Sequence, residues 1–69
     1  MKLSTRNTLG GTIQRLVRGP VHTEVTIRIA KGVDIVAVIT TFSARRLKLK
    51  KGQPAYALVK ADSVMVGVD

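Results

Sequence analysis

The stretch Val21-His22-Thr23-Glu24-Val25-Thr26-Ile27-Arg28-Ile29 decides the fold. Apolar or β-branched residues stand at every second position and polar residues fill the gaps, which is the period of a half-buried strand. Gly19-Pro20 before it and Lys31-Gly32 after it are turn-forming pairs that bound the segment at both ends. A strand over residues 21–29 is therefore predicted.

Further short strands are predicted on both sides of this one. Val33–Ile39 is a nearly continuous apolar run broken only by Asp34, a pattern typical of a strand covered on both faces. Thr12–Arg18 is a weaker strand whose blurred period indicates a bulge. Ala55–Val59 and Val64–Val68 complete the predicted set.

Only one segment, Ser43–Lys48, has a helical composition, and Thr41 is placed to cap it. The turn-forming stretch Lys50–Pro54 then leads back into a strand. Five short strands with one helix between the third and fourth predict an all-β fold, a five-stranded OB-like barrel. The length allows one domain at most, over residues 1–69.

The small size of the chain predicts that it associates with other copies. A domain of 69 residues lies near the lower limit for folding alone, and such a core rarely yields more than ~3–5 kcal/mol. Cysteine is absent, which excludes disulfides and thiolate metal sites, and one histidine with four carboxylates offers no cage for a cation. Because 45% of the residues are apolar, a homo-oligomer is the remaining support.

The sequence gives no indication of export or of a membrane. The first residues lack the apolar run of a signal peptide, and no stretch approaches the ~20 apolar residues of a membrane span. A cytoplasmic protein without membrane contact is therefore expected.

A formal charge of +8 predicts an anionic partner: nucleic acid, an acidic surface or a small anion. A solvated basic surface is the plain alternative. Catalysis is not expected, because His22 falls on the polar side of its strand and the four acids are scattered without pairing.

Nucleic acid is the serious rival among these partners. Arg45, Arg46, Lys48, Lys50 and Lys51 cluster within seven residues and offer a basic groove. Single-strand-binding OB barrels also need aromatic stacking platforms, and the only aromatic residues, one Phe and one Tyr, lie on different segments. A nucleic-acid-binding OB module is the alternative function, with only weak and unspecific binding expected.

A tetrahedral oxyanion needs hydroxyls, backbone N–H groups and cations, and three places offer them. In Ser4–Asn7 the hydroxyl of Ser4 and the guanidinium of Arg6 share one face if the segment is extended. Thr40–Ser43 stands where a strand gives way to a helix N-terminus. Lys60-Ala61 adds an ammonium and backbone donors. Chain-start polar residues, helix caps and a solvated lysine are the plain alternatives.

In their order and spacing these segments resemble a molbindin, a free-standing Mop-type molybdate-binding domain of the TOBE class. The resemblance covers nearly the whole chain and depends on Ser4–Asn7, Val38–Thr40 followed by Ser43, Leu49–Gly52 and Ala57–Gly67. It implies an OB-like barrel that pairs with a neighbour, with pairs assembling into a hexamer, a trimer of dimers. It also implies molybdate or tungstate as the ligand, bound between subunits.

The resemblance implies the site residues as well. One chain would supply Ser4, Thr5 (where the family usually has Ala), Arg6, Lys60 and Ala61, and a partner chain would supply Thr40 and Ser43. Metal is expected only as the oxyanion. The implied function is reversible binding with intracellular storage or buffering. A ligand-sensing fragment of a transporter ATPase or of a transcription regulator is a third option.

Two further features of the sequence bear on this expectation. Ala44-Arg45-Arg46 stands where the family pattern is acidic, which makes this chain unusually basic. The weak apolar pattern of residues 2–9 predicts an edge strand added to a neighbouring subunit. Deleting residues 1–7 should therefore abolish both oxyanion binding and the oligomer.

Overall fold

The computed structural model describes residues 6–69, which form one antiparallel sheet with a short helix at its edge. The strand order is β3-β2-β1-β4. In chain order the elements are β1 (Asn7–Arg18), β2 (His22–Ala30), β3 (Val33–Thr40), α1 (Thr41–Arg46), β4 (Pro54–Val59) and a 3₁₀ helix (Ala61–Ser63). The predicted all-β class is confirmed, as is the single helix between the third and fourth strands.

The core lies on the inward face of β1 and β2. Thr23, Val25 and Ile27 of β2 are buried and their neighbours along the strand are more exposed, so the alternation predicted from the sequence is confirmed. Ile13 of β1, with no exposed surface, packs against Val25 and Ile27, and Ala57 of β4 joins them. This cluster buries apolar area from three strands at once, and it is the main source of stability.

The first strand is longer than the sequence indicated, and it is bulged as predicted. The register between β1 and β2 shifts between Ile13 and Arg15. Just before the bulge, a Cβ on Gly11 would lie 2.2 Å from the carbonyl oxygen of Arg28, so only glycine allows this approach of the two backbones.

The start of β1 pairs within its own chain. Residues Asn7 to Leu9 form the ladder with β4, from Asn7–Val59 to Leu9–Ala57. Residues 7–9 are therefore held in the sheet of their own chain, because β4 offers them an edge in the same molecule. The addition of residues 2–9 to a neighbour's sheet stays a prediction. Residues 2–5 lie outside the described part of the chain.

The third strand is covered on one face only, which corrects the prediction of two covered faces. Ile35, Ala37 and Ile39 are half-buried, whereas Val36 and Val38 are exposed. β3 is an edge of the sheet, and within residues 6–69 nothing packs over its outer face.

The predicted strand Val64–Val68 is wrong for the chain taken alone. These residues have no regular structure and are exposed, with 94% of Met65 accessible. Residues 6–69 therefore form four strands in place of the predicted five, and the sheet curls into a half-barrel. An apolar groove of about 680 Å³ lies inside the curl, lined by residues of all four strands and by Leu47 and Leu49.

The helix begins two residues earlier than predicted, at Thr41 instead of Ser43, and has a different cap. Thr40 is the N-cap, and its side chain accepts a hydrogen bond from the amide of Ser43. Thr41, predicted as the cap, is buried: its hydroxyl donates to the carbonyl of Gly19 at 2.7 Å and lies 2.8 Å from the hydroxyl of Thr23. These bonds fasten α1 to the turn before β2.

The C-terminus of the helix closes in a Schellman motif. The amide of Lys48 bonds to the carbonyl of Arg45, and the amide of Leu49 bonds to that of Ala44. Lys48 has φ of 54°, in the left-handed region where glycine is usual. The left-handed conformation of Lys48 is less favourable for lysine than for glycine, because the Cβ atom of lysine crowds the following carbonyl oxygen.

Candidate functional site

Thr40 and Ser43 form a hydroxyl pair at the junction of β3 and α1. The hydroxyl of Thr40 accepts from the amide of Ser43 at 3.0 Å and donates to the hydroxyl oxygen of Ser43 at 2.8 Å. Within residues 6–69 the hydroxyl hydrogen of Ser43 has no acceptor. The N-cap requirement explains the local structure, because a threonine in extended conformation satisfies the first free amides of the helix. The pair thus presents one hydroxyl donor to an anion.

Arg6 and Lys60 lie at the far end of the β1–β4 ladder. The last pair of that ladder is Asn7–Val59, and each of the two cations stands one residue beyond it. Arg6 is exposed, and 80% of the Lys60 side chain is accessible. Antiparallel pairing therefore places Arg6, of the first motif, near Lys60, of the last.

Lys60 and Ala61 open the 3₁₀ helix. Lys60 is its N-cap residue without a side-chain cap bond, and Ala61 is exposed. The ammonium of Lys60 lies 4.0 Å from a carboxylate oxygen of Asp62, and both side chains are largely solvated. Such a surface ion pair is weak, so the ammonium can exchange this carboxylate for another anion. Ser4 and Thr5, also predicted for the site, lie outside the described residues.

The two sets of predicted ligand residues, Thr40 with Ser43 and Arg6 with Lys60, lie near opposite ends of β1. Thr40 pairs with His22 beside the end of β1 at Arg18, whereas Arg6 precedes its start. β1 has 12 residues, and a strand of that length spans about 36 Å. One copy of the chain therefore does not bring Thr40 and Ser43 to Arg6 and Lys60.

Neither a cation site nor a catalytic pair is found in residues 6–69. No group of three or more His, Asp or Glu side chains is placed to hold a metal ion in this part of the chain. His22 is exposed on the outward side of β2. No helix formed by the described residues has the length and hydropathy to cross a membrane.

The basic cluster near α1 includes a residue that the sequence reasoning missed. The guanidinium of Arg18 donates to the carbonyl of Leu49 at 2.9 Å, which places a cation from β1 beside the turn after α1. No local pattern could reveal this, because 31 residues separate Arg18 from Leu49.

Comparison with known proteins agrees with this architecture. Residues 3–66 match the TOBE domain. The chain is 39% identical to the "Probable molybdenum-pterin-binding protein" of Haemophilus influenzae, with both chains covered completely. It is 46% identical to the "Molybdenum transport protein ModE" of Herbaspirillum seropedicae over its own full length, which is 26% of that protein. The structure of the cytoplasmic molybdate-binding protein ModG, with molybdate bound, superposes with a TM-score of 0.94 at 38% identity, covering all of this chain and 49% of that one.

The chain belongs to the TOBE-domain family, and its resemblance to the molbindins is confirmed. The OB-like class is confirmed with it. This family consists of binding domains, not of enzymes. The chain spans about a quarter of the length of the ModE relative and about half of the ModG chain.

Proposed function

We propose that this protein reversibly binds molybdate, or the closely similar tungstate, and buffers it in the cytoplasm at sites shared between copies of the chain. The likeness to the molybdate-bound ModG structure over the full length of this chain is the observation that supports this most strongly. Binding of this kind needs no catalytic group, since the oxyanion is held by hydrogen bonds and charge alone.

The placement of the donors favours a shared site. Arg6 and Lys60 supply the positive charge at one end of β1, and the Thr40–Ser43 pair supplies a hydroxyl donor at the other. Two copies in a head-to-tail or two-fold arrangement can bring these ends together, whereas one copy keeps them apart. A dianion at that junction offsets the repulsion between two basic subunits, and it stabilises the assembly by mass action.

The uncovered apolar surface also favours association. The groove inside the half-barrel is lined almost entirely by apolar side chains, and residues 64–68 form an apolar segment without a strand to pair with. Exposed apolar surface of this extent is typical of a protein interface. The proposed oligomer is the hexamer that the resemblance implies.

Calorimetry with molybdate tests the binding site. Lys60→Ala should weaken binding by about 1.5–3 kcal/mol, the range for a hydrogen bond to a charged group. Lys31→Ala is the matched control, since Lys31 is an exposed lysine in the β2–β3 turn, and it should bind like the unaltered protein. Equal affinity in both variants would remove Lys60 from the site. Titration with sulfate then measures selection by cavity size, because both ions are tetrahedral dianions.

Sedimentation tests the assembly. The intact protein should sediment as an oligomer that molybdate stabilises, whereas a chain ending at residue 63 should sediment as a smaller species. A monomeric intact protein that still binds molybdate would contradict the shared site and leave oxyanion binding intact.

A further inference from the structure

Six exposed cations lie on α1, on the turn that follows it and at the end of β1 beside that turn. Arg45 and Arg46 end the helix, and Arg18 is held at the turn by its bond to the carbonyl of Leu49. All six side chains are exposed. We call this surface the basic patch; it consists of Arg18, Arg45, Arg46, Lys48, Lys50 and Lys51.

The chain does not neutralise the basic patch. Within residues 6–69 the ion pairs are Arg28–Asp34 and Lys60–Asp62, and neither involves a residue of the patch. The whole sequence contains four carboxylate side chains, and none lies between residues 35 and 61. A second copy of the chain is therefore a poor occupant for the patch, since it would bring another strongly positive surface.

The exposed side of α1 adds apolar groups to this charge. Phe42, Arg45 and Arg46 stand at helical positions i, i+3 and i+4 and so share one face, while Thr41 and Ala44 are buried on the other. Phe42 is 73% exposed and Leu47 is 56% exposed. Aromatic and arginine side chains are enriched where proteins bind one another and supply most of the binding energy there.

One residue of the patch, Lys48, has a strained backbone conformation. Its φ of 54° belongs to the position after the helix where glycine would be unstrained. Residues held in such regions concentrate at functional sites. Glycine in this place would remove both the strain and one cation from the patch.

The position of the patch argues against nucleic acid as its partner. OB-like folds bind oligonucleotides on the sheet face of the second and third strands and on the loops between strands 1 and 2 and between strands 4 and 5. Single strands also need several aromatic side chains as stacking platforms. β2 and β3 contain no aromatic residue, and the patch lies on the helix and its following turn. Only one aromatic side chain, Phe42, lies on α1 beside the patch, whereas successive bases need several stacking platforms.

We infer that the basic patch docks an acidic segment of another protein, one that combines carboxylates with apolar side chains. The carboxylates would pair with the guanidinium and ammonium groups, and the apolar side chains would cover Phe42. None of the six cations belongs to the proposed oxyanion site, whereas Phe42 lies between Thr40 and Ser43, so binding is tested without molybdate.

Fluorescence anisotropy with a labelled peptide of alternating Glu and Leu tests it, without molybdate. The unaltered protein should bind with an affinity that falls as salt rises. Arg45→Glu/Arg46→Glu should weaken binding at least about ten-fold, because two attractions become repulsions. Phe42→Ala should weaken it by about three- to ten-fold, the size of a moderate interface contact.

Matched controls distinguish the patch from general charge. Arg15→Glu/Lys31→Glu makes the same change in total charge with exposed residues outside the patch, and it should retain most of the binding. A peptide with Gln in place of Glu should not bind. Lys48→Gly should weaken binding while its thermal midpoint stays equal or rises.

Four outcomes would overturn the inference. These are equal loss in the two double variants, equal binding of the Gln peptide, tighter binding of a labelled oligothymidine, or no saturation up to about 1 mM peptide. Thermal melts of each variant exclude unfolding as the cause, since every substituted side chain is exposed or lies in the turn.

Discussion

Two regions of the molecule contain the same residue types but differ in exposure. One is the pair of central strands, β1 and β2; the other is β3 together with the C-terminal segment, residues 64–68. Ile13 and Val25 are buried in the first, whereas Val38 and Met65 are exposed in the second. Both have high β-propensity and apolar side chains. The difference is that β1 and β2 each have a strand on both sides, whereas β3 is an edge and residues 64–68 have no partner within the described chain. Among the described strand residues larger than alanine, the buried apolar side chains therefore lie only on strands that are paired on both sides.

The largest expected contrast compares one deletion of side-chain volume in each region. Ile13→Ala should lower the free energy of unfolding by about 2–5 kcal/mol, because it leaves a cavity in the fully buried cluster. Val66→Ala should change it by less than about 0.5 kcal/mol, since Val66 is 91% exposed. Urea unfolding of dilute protein without oxyanion measures both. A comparable loss in Val66→Ala would show that the C-terminal segment is already packed in solution.

A second contrast lies within the hydrogen-bond chain that fastens α1 to the sheet. Thr41 donates to Gly19, so Thr23 must donate to Thr41. Thr41→Val should cost about 1–3 kcal/mol, because it leaves the buried hydroxyl of Thr23 without an acceptor. Thr23→Val leaves no donor unpaired and should cost about 1 kcal/mol or less. Thermal melts compare the two variants, and a reversed order would contradict this direction of the hydrogen bonds.

The turn between α1 and β4 is part of the connection between the two edge strands, β3 and β4. A substitution in this turn should make the protein more stable. Lys48→Gly should raise the free energy of unfolding by about 1 kcal/mol, since glycine adopts the positive φ without the clash of a Cβ. Lys50→Gly is the control, because Lys50 has no positive φ and should gain nothing. A lower unfolding midpoint for Lys48→Gly would show that the lysine side chain stabilises the turn.

The smallest effect is expected for the ion pair between β2 and β3. The hydrogen bond from Arg28 holds the pKa of Asp34 below its usual value, and the attraction between the two charges adds to this. Because the pKa of Asp34 is lower in the folded than in the unfolded protein, its carboxylate stabilises the folded state at pH values above the unfolded-state pKa. This contribution is lost as the pH falls through the folded-state pKa. Asp34→Asn should therefore lower the urea midpoint only slightly at neutral pH, since both side chains are solvated, and the difference should vanish in acid. A difference that grows on acidification would contradict the sign.

Local patterns predicted the elements that are stabilised within one chain. The alternation in β2 is visible in the sequence because one face of that strand is buried and the other is wet. The apolar runs of residues 33–39 and 64–68 carry no such information, because a run without period does not show what covers it. Two covered faces were predicted for residues 33–39, and only one face is covered. A strand was predicted for residues 64–68, which form no regular structure in the single chain.

The candidate site could be predicted only in its local parts. Thr40 and Ser43 are three residues apart, so helix capping brings them together whatever the rest of the chain does. Arg6 and Lys60 meet through the register of the β1–β4 ladder, which the sequence does not encode in any short window. Arg18 reaches the basic patch through a contact of the same non-local kind.

The exposed edge at β3 gives Asp34 a role that stability measurements would not detect. An edge strand presents unpaired N–H and C=O groups, and an apolar one can recruit further strands into aggregates. Asp34 is the only charged residue in the β3 sequence Val33–Thr40, and a charge in such a strand acts as a gatekeeper against stacking. Asp34, whose solvated ion pair with Arg28 adds little to stability, would thus also protect the exposed β3 edge from aggregation.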